Sequence, residues 1–155
     1  IFGTLAIGQC FIFCETKRGA LSLVKFLIEN GHKVGLISGD LTVEQRNEQI
    51  RRFRDGHQRV LVATNVMARG IDIEQVTLVI NYDLPVNYKT KEIDFETYLH
   101  RIGRTGRFGK EGLAINFIDG YESRAMIQRL QEHFGREIKR LDATDVDEIE
   151  KIAPM

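Results

Sequence analysis

The sequence contains no G-x-x-x-x-G-K-[ST] stretch, so the chain carries no glycine-rich cradle for nucleotide phosphates. No apolar run approaches the roughly 18 residues that a bilayer-spanning helix needs, which argues against a membrane partner. No segment has signal-peptide composition. Net charge is missing too, because 22 Lys and Arg balance 22 Asp and Glu. That balance removes the whole-protein basic field expected of a nonspecific polyanion binder, but it leaves room for local strips. Basic residues gather at 46–59 and 101–110, and acidic ones at 142–150. Cysteine is scarce. Cys10 and Cys14 are four apart in an apolar run, so as strand residues their Cα atoms lie roughly 13 Å apart, beyond disulfide reach. The four histidines are scattered, so no metal-ligand spacing emerges and the thiols read as buried core groups of a reducing compartment.

What is present suits one globular domain. The 155 residues are 43% hydrophobic and 28% charged, enough to bury a sizeable core. The first residue is Ile1 rather than Met, and we expect the chain to be a piece of something longer. Short β-rich runs at Gln9–Cys14, 34–38, 59–64, Val76–Asn81 and 113–118 alternate with helical patterns at 17–30, 42–56, Phe95–Ile102 and 122–134. Thr16 can cap the first helix, and Gly31 can stop it. Thr42 and Gln45 have capping-box spacing before the second. This alternation predicts an α/β fold, a mostly parallel sheet covered on both faces. Ligands of such sheets bind beyond the carboxyl ends of the strands, where Thr16, Gly39-Asp40 and Thr64-Asn65 fall. The segment 85–94 is long for a connection in a compact sheet, and reads either as a solvated loop or as a partner-docking or regulatory insertion.

Two stretches carry chemistry. HRIGRTGR, residues 100–107, sets Arg104 and Arg107 around Gly103 and Gly106. A guanidinium offers phosphate oxygens a planar fork whose charge does not titrate away. The residues alone leave a second reading open, a basic surface turn paired with Asp or Glu. Gly103-x-x-Gly106-x-x-Gly109 is not a dinucleotide fingerprint, and the GXXG of an RNA-binding KH domain does not fit the parallel α/β pattern. TNVMARGID, residues 64–72, can offer a hydroxyl and backbone N–H groups to a phosphodiester, and Asp72 can accept from a ribose hydroxyl. Turn chemistry explains each of these equally well. The carboxylates form no hydrolytic pair, and the acids at 147–150 read as a solvated helix face rather than a metal site.

Together these stretches resemble the C-terminal domain of DEAD-box RNA helicases, over nearly the whole chain. FIFCET (residues 11–16) resembles that family's motif IV, SGDLTVEQR (38–46) its motif IVa region, TNVMARGID its motif V and HRIGRTGR its motif VI. One departure is Val43, which stands where the family's Q-x-x-R pattern has Gln and leaves a side-chain amide contact there in doubt. The longer VNYKTKEIDFET segment, VEQR and the KRLDATDVDEIEKI ending are most similar to the helicase of nuclear mRNA export at the cytoplasmic face of the nuclear pore.

The resemblance implies a RecA-like three-layer α/β/α fold for residues 1–155, a helicase superfamily 2 C-terminal domain whose ATP-binding N-terminal partner domain is outside this chain. It implies arginine fingers at Arg104 and Arg107, a ribose contact at Asp72, and RNA-backbone contacts at Thr16, Gly39, Arg46, Thr64 and Gly70. His100 and Arg101 are expected to couple the two domains or to support the RNA path rather than touch ATP. The implied cofactor is ATP with Mg2+, the metal ligands lying in the other domain, and the implied partner is single-stranded RNA gripped without sequence reading. A nucleoporin and an export activator with inositol hexakisphosphate are further implied partners, and cytoplasm, nucleus and nuclear pore the implied location. The competing expectation is a non-catalytic RNA-binding or scaffold module on the same fold.

Overall fold

A computed structural model describes residues 9–64, 76–87, 89–102, 113–118 and 120–135. Five strands run β1 (Gln9–Cys14), β2 (Val34–Ile37), β3 (Val60–Thr64), β4 (Val76–Asn81) and β5 (Leu113–Asn116). Four helices separate or follow them: α1 (Lys17–Glu29), α2 (Val43–Arg54), α3 (Phe95–Ile102) and α4 (Tyr121–Phe134). The sheet order is β2-β3-β1-β4-β5, and all four pairings are parallel. Three runs are shorter as strands than they read. Ser38 leaves β2 to donate to Asp40, and Arg59 precedes β3, while Phe117 and Ile118 lie beyond β5 and are exposed.

All six residues of β1 are buried, because this central strand is covered on both faces. Such a strand reads as an unbroken apolar run rather than an alternation. Its side chains nevertheless divide. Cys10, Ile12 and Cys14 join Ala20 and Leu27 of α1 on one face, whereas Phe11 and Phe13 join Phe53 of α2 on the other. Phe11 stacks on Phe53 with ring centroids 5.2 Å apart. Burying an aromatic or aliphatic side chain of this size contributes about 1.5–3 kcal/mol. Two covered faces make the three-layer architecture.

Helix limits follow from local bonds. Thr16 Oγ1 accepts from the Gly19 N–H at 3.1 Å, and Gly31 takes φ 85° just past the Asn30 cap. Thr42 and Gln45 form the reciprocal capping box, at 3.1 and 2.9 Å. Ahead of α3, Asp94 accepts from the Thr97 N–H at 3.0 Å and from the Thr97 hydroxyl at 2.9 Å. The preceding loop is anchored rather than loose. Val86 bridges Ile93 antiparallel, Asn87 Oδ1 accepts from the Lys89 and Thr90 N–H groups, and Leu84 and Ile93 bury against Tyr98, Ile127 and Leu130. The exposed part of the loop is Asn87 and residues 89–92.

Cys10 and Cys14 are free and buried, as the spacing implied. Burial pushes the Cys14 thiol up to about 12, with the Asp83 charge adding and the Arg101 charge opposing, and pushes Cys10 higher still. The thiolate is the reactive form. The native protein is therefore expected to resist a thiol reagent at pH 8 for hours, and to release two equivalents at once in denaturant. Fast labelling without unfolding would contradict the burial.

Candidate nucleic-acid and nucleotide interface

Because every described strand is parallel, every strand's carboxyl end reaches one edge of the sheet. Cys14 pairs with Thr64, and Ile37 with Ala63, so the chain positions after β2, β3 and β1 lie side by side. That brings Ser38-Gly39-Asp40, Thr64 and Glu15-Thr16 into one row. Neighbouring strands are about 4.8 Å apart, which makes the row roughly 10 Å wide. An ion pair crosses it, Lys17 donating to Asp40. The hydrogen bond from Lys17, then that from Ser38, holds the Asp40 carboxyl well below the usual carboxylate range, at about 2.

The residues expected to touch a phosphodiester differ in access. Thr16 is exposed, and its Oγ1 is already an acceptor for α1. Gly39 is exposed, and a Cβ built there meets nothing within 4 Å, so nothing inside the domain demands glycine. Arg46 is half-buried on α2, one turn beyond the exposed Val43. Thr64 is buried at 6% exposure, the least open of the four. Gly70, Asp72, Arg104 and Arg107 lie outside the described residues. His100 belongs to α3, and its side chain also lies outside them.

Arg101, expected to couple the two domains or to support the RNA path, is fully buried within this one. Its Nη1 donates to Asn81 Oδ1 at 3.0 Å and to the Asp83 carbonyl at 2.8 Å, and its guanidinium sits 4.9 Å from the centre of the Phe13 ring. A cation over an aromatic face away from water contributes on the order of 1–2 kcal/mol. The residue therefore fixes α3 on the sheet.

The sequence reading missed the groups around Arg101. Asn81 Nδ2 donates to Asn116 Oδ1 at 2.8 Å, and Asn116 Nδ2 donates to the Tyr98 hydroxyl at 3.0 Å. Burial pushes the Tyr98 phenol up, against the Asn116 hydrogen bond. This chain of bonds ties β4, β5 and α3 together. The available signal was Asn81-Tyr82-Asp83, a polar stretch at the carboxyl end of an apolar strand. Lys17 carried a similar signal beside Thr16.

Among the described residues, no group of three or more His, Cys, Asp and Glu could hold a metal. Nor is any described helix long and apolar enough to cross a membrane. A cavity of about 640 Å³ lies on the α1 face and is walled mainly by Ile12, Leu23, Phe26, Leu27, Ile80 and Phe117. Its walls suit an apolar surface rather than phosphate. The polar edge is the candidate site.

Comparison with known proteins identifies the family. Residues 3–109 match the helicase conserved C-terminal domain family. The chain is 57% identical over 152 residues to the ATP-dependent RNA helicase DDX25 of Rattus norvegicus, covering 98% of this chain and 31% of that protein. It thus spans under a third of that relative. Of solved structures, Dbp5 of S. cerevisiae bound to RNA and ADP BeF3 superposes with TM-score 0.89 and 45% identity, over 97% of this chain and 39% of that one. Dbp5 bound to Nup159, Gle1, IP6 and ADP superposes with TM-score 0.87 and 41% identity, over 97% and 39%.

Proposed function

Since the chain belongs to the helicase conserved C-terminal domain family, as the RecA-like C-terminal domain of a DEAD-box RNA helicase, we propose that it is the trailing half of a two-domain, RNA-dependent ATPase. The observation that carries this reading is the row of strand ends. Thr64 closes β3, and Thr16 and Gly39 each follow two residues after the ends of the flanking parallel strands β1 and β2. Such a row offers a phosphodiester backbone hydroxyls, N–H groups and the Lys17 and Arg46 cations, without reading bases. Gly39, bare of any internal packing demand, leaves room for a backbone to approach.

The same reading gives Arg104 and Arg107 the role of fingers on ATP phosphates, and Asp72 that of a ribose acceptor. Arginines fit the phosphate end of the nucleotide. The Mg2+ does not find its ligands among the described residues, and the cradle motif is missing from the sequence. On this reading the cradle and the metal ligands belong to an N-terminal domain of the full-length protein. ATP supplies phosphoryl transfer to water, where positioning and charge stabilisation dominate. This chain's part is to hold the RNA backbone and to present cationic groups when the two domains meet. Because Dbp5 has been solved with Nup159, Gle1 and IP6, we assign this protein corresponding partners, a nucleoporin and an activator with inositol hexakisphosphate, and a role in mRNA export at the cytoplasmic face of the nuclear pore.

The test is direct. The purified 155-residue chain, given RNA and ATP, is expected to show no phosphate release above blank. Adding the N-terminal domain in the same polypeptide is expected to restore RNA-stimulated turnover. Robust hydrolysis by the chain alone would reject the division of labour.

A further inference from the structure

We propose that Asp83 is a positioning residue that couples the RNA-gripping edge to α3, the helix that precedes Arg104 and Arg107 in sequence, an inference that rests on the function proposed above. Asp83 faces two ways. Its carboxylate Oδ2 accepts from the Glu15 backbone N–H at 2.8 Å, across 68 residues of sequence. Its backbone carbonyl accepts from Arg101 Nη1 at 2.8 Å. Glu15 is the link between β1 and Thr16, the first residue of the edge. Arg101 lies in the last turn of α3, three residues before Arg104.

The chain beneath Asp83 is held as well. The N–H groups of Tyr82 and Asp83 both donate to the Phe13 carbonyl, at 3.1 and 3.2 Å. The Phe13 ring in turn carries the Arg101 guanidinium. Residues 13–15, 81–83 and 101 are thus joined by hydrogen bonds and the Phe13–Arg101 contact. The thiol of Cys14 feels the Asp83 and Arg101 charges together, as expected of such close packing. A shift of the Glu15–Thr16 backbone on gripping RNA must move the Asp83 side chain or lose its charge-assisted bond. A shift of Asp83 reaches Arg101 through a bond of similar length. Chains of hydrogen-bonded residues can carry coupling between two sites, and here the chain is three residues long.

The experiment uses the full-length protein and measures ATP turnover without RNA and at saturating RNA. Asp83→Ala removes the acceptor for Glu15 and leaves the carbonyl bond to Arg101. It is expected to cut the RNA stimulation factor about tenfold, a coupling of ordinary size between two sites. Asp83→Asn keeps an oxygen acceptor and is expected to restore most of the stimulation. Glu15→Pro breaks the same bond from the donor end and serves where Asp83→Ala does not fold. Its effect is expected to match that of Asp83→Ala and not to add to it. The inference is overturned if stimulation stays at the wild-type factor in the folded variants. It is equally overturned if turnover falls by one factor with and without RNA, which is what a merely structural role would do. Arg107→Ala, run alongside, separates the two readings: retained activity in that variant rejects the finger assignment and not the Asp83 link.

Discussion

In the full-length protein, Arg107→Ala is expected to lower RNA-saturated ATP turnover by about 10³-fold or more, with the thermal midpoint of this domain unchanged. A finger reaching a transferring phosphoryl group from another domain contributes about 10³–10⁵ in rate. The reason is that charge spreads over the phosphoryl oxygens as the bond to the leaving group loosens, and a planar guanidinium meets it without reorganising. Arg107→Lys keeps a point charge but loses the fork, so an intermediate rate is expected. Single-turnover kinetics at saturating ATP and RNA would isolate the chemical step. A rate within a few-fold of wild type would remove Arg107 from the catalytic group, and the reading of HRIGRTGR as half of a phosphate site with it.

Arg101→Ala, six residues earlier in the same motif, is expected to fail in a different way. Arg101 is wholly buried, and it supplies donors to Asn81 Oδ1 and to the Asp83 carbonyl. Truncation leaves two buried acceptors short of a donor and a void beneath the Phe13 ring. Each lost partner costs about 1–3 kcal/mol, and the void adds to that. A total of about 3 kcal/mol lowers the midpoint of a domain this size by roughly 6–12 °C. Calorimetry on the isolated chain measures this directly, because no ATP chemistry is involved. A melting curve matching that of the wild type would mean that the Asn81 and Asp83 bonds contribute nothing net. The contrast between Arg107 and Arg101 distinguishes residues that the motif alone treats alike.

That contrast shows where sequence reading stops. The octapeptide identifies arginines in a phosphate-gripping pattern, but the pattern is blind to which of them faces inward. Arg101, expected to couple the two domains or to support the RNA path, is found under Phe13. Thr64, expected to contact an RNA backbone, is the most buried of the described contact residues, its strand lying between β1 and β2. Val43 was recognised as a departure from the family's pattern, and its exposure places that departure at the start of α2. Asp83 drew no attention, since its meaning depends on a partner 68 residues away.

The elements themselves were legible because their causes are local. The Thr42–Gln45 capping box closes over three residues, the Gly31 stop over one, and the apolar run of β1 announces a strand covered on both faces. The membership of Thr16, Gly39 and Thr64 in one polar edge also followed from sequence, since parallel strands end on the same side. Their order along that edge did not. It depends on β3 inserting between β2 and β1, a choice made by matching side chains across the whole sheet. By itself, the sequence determined the strands, the helices, the family and the residue types of the site. Only the tertiary structure decided which of those residues are neighbours, because parallel pairing joins segments that no local rule can bring together.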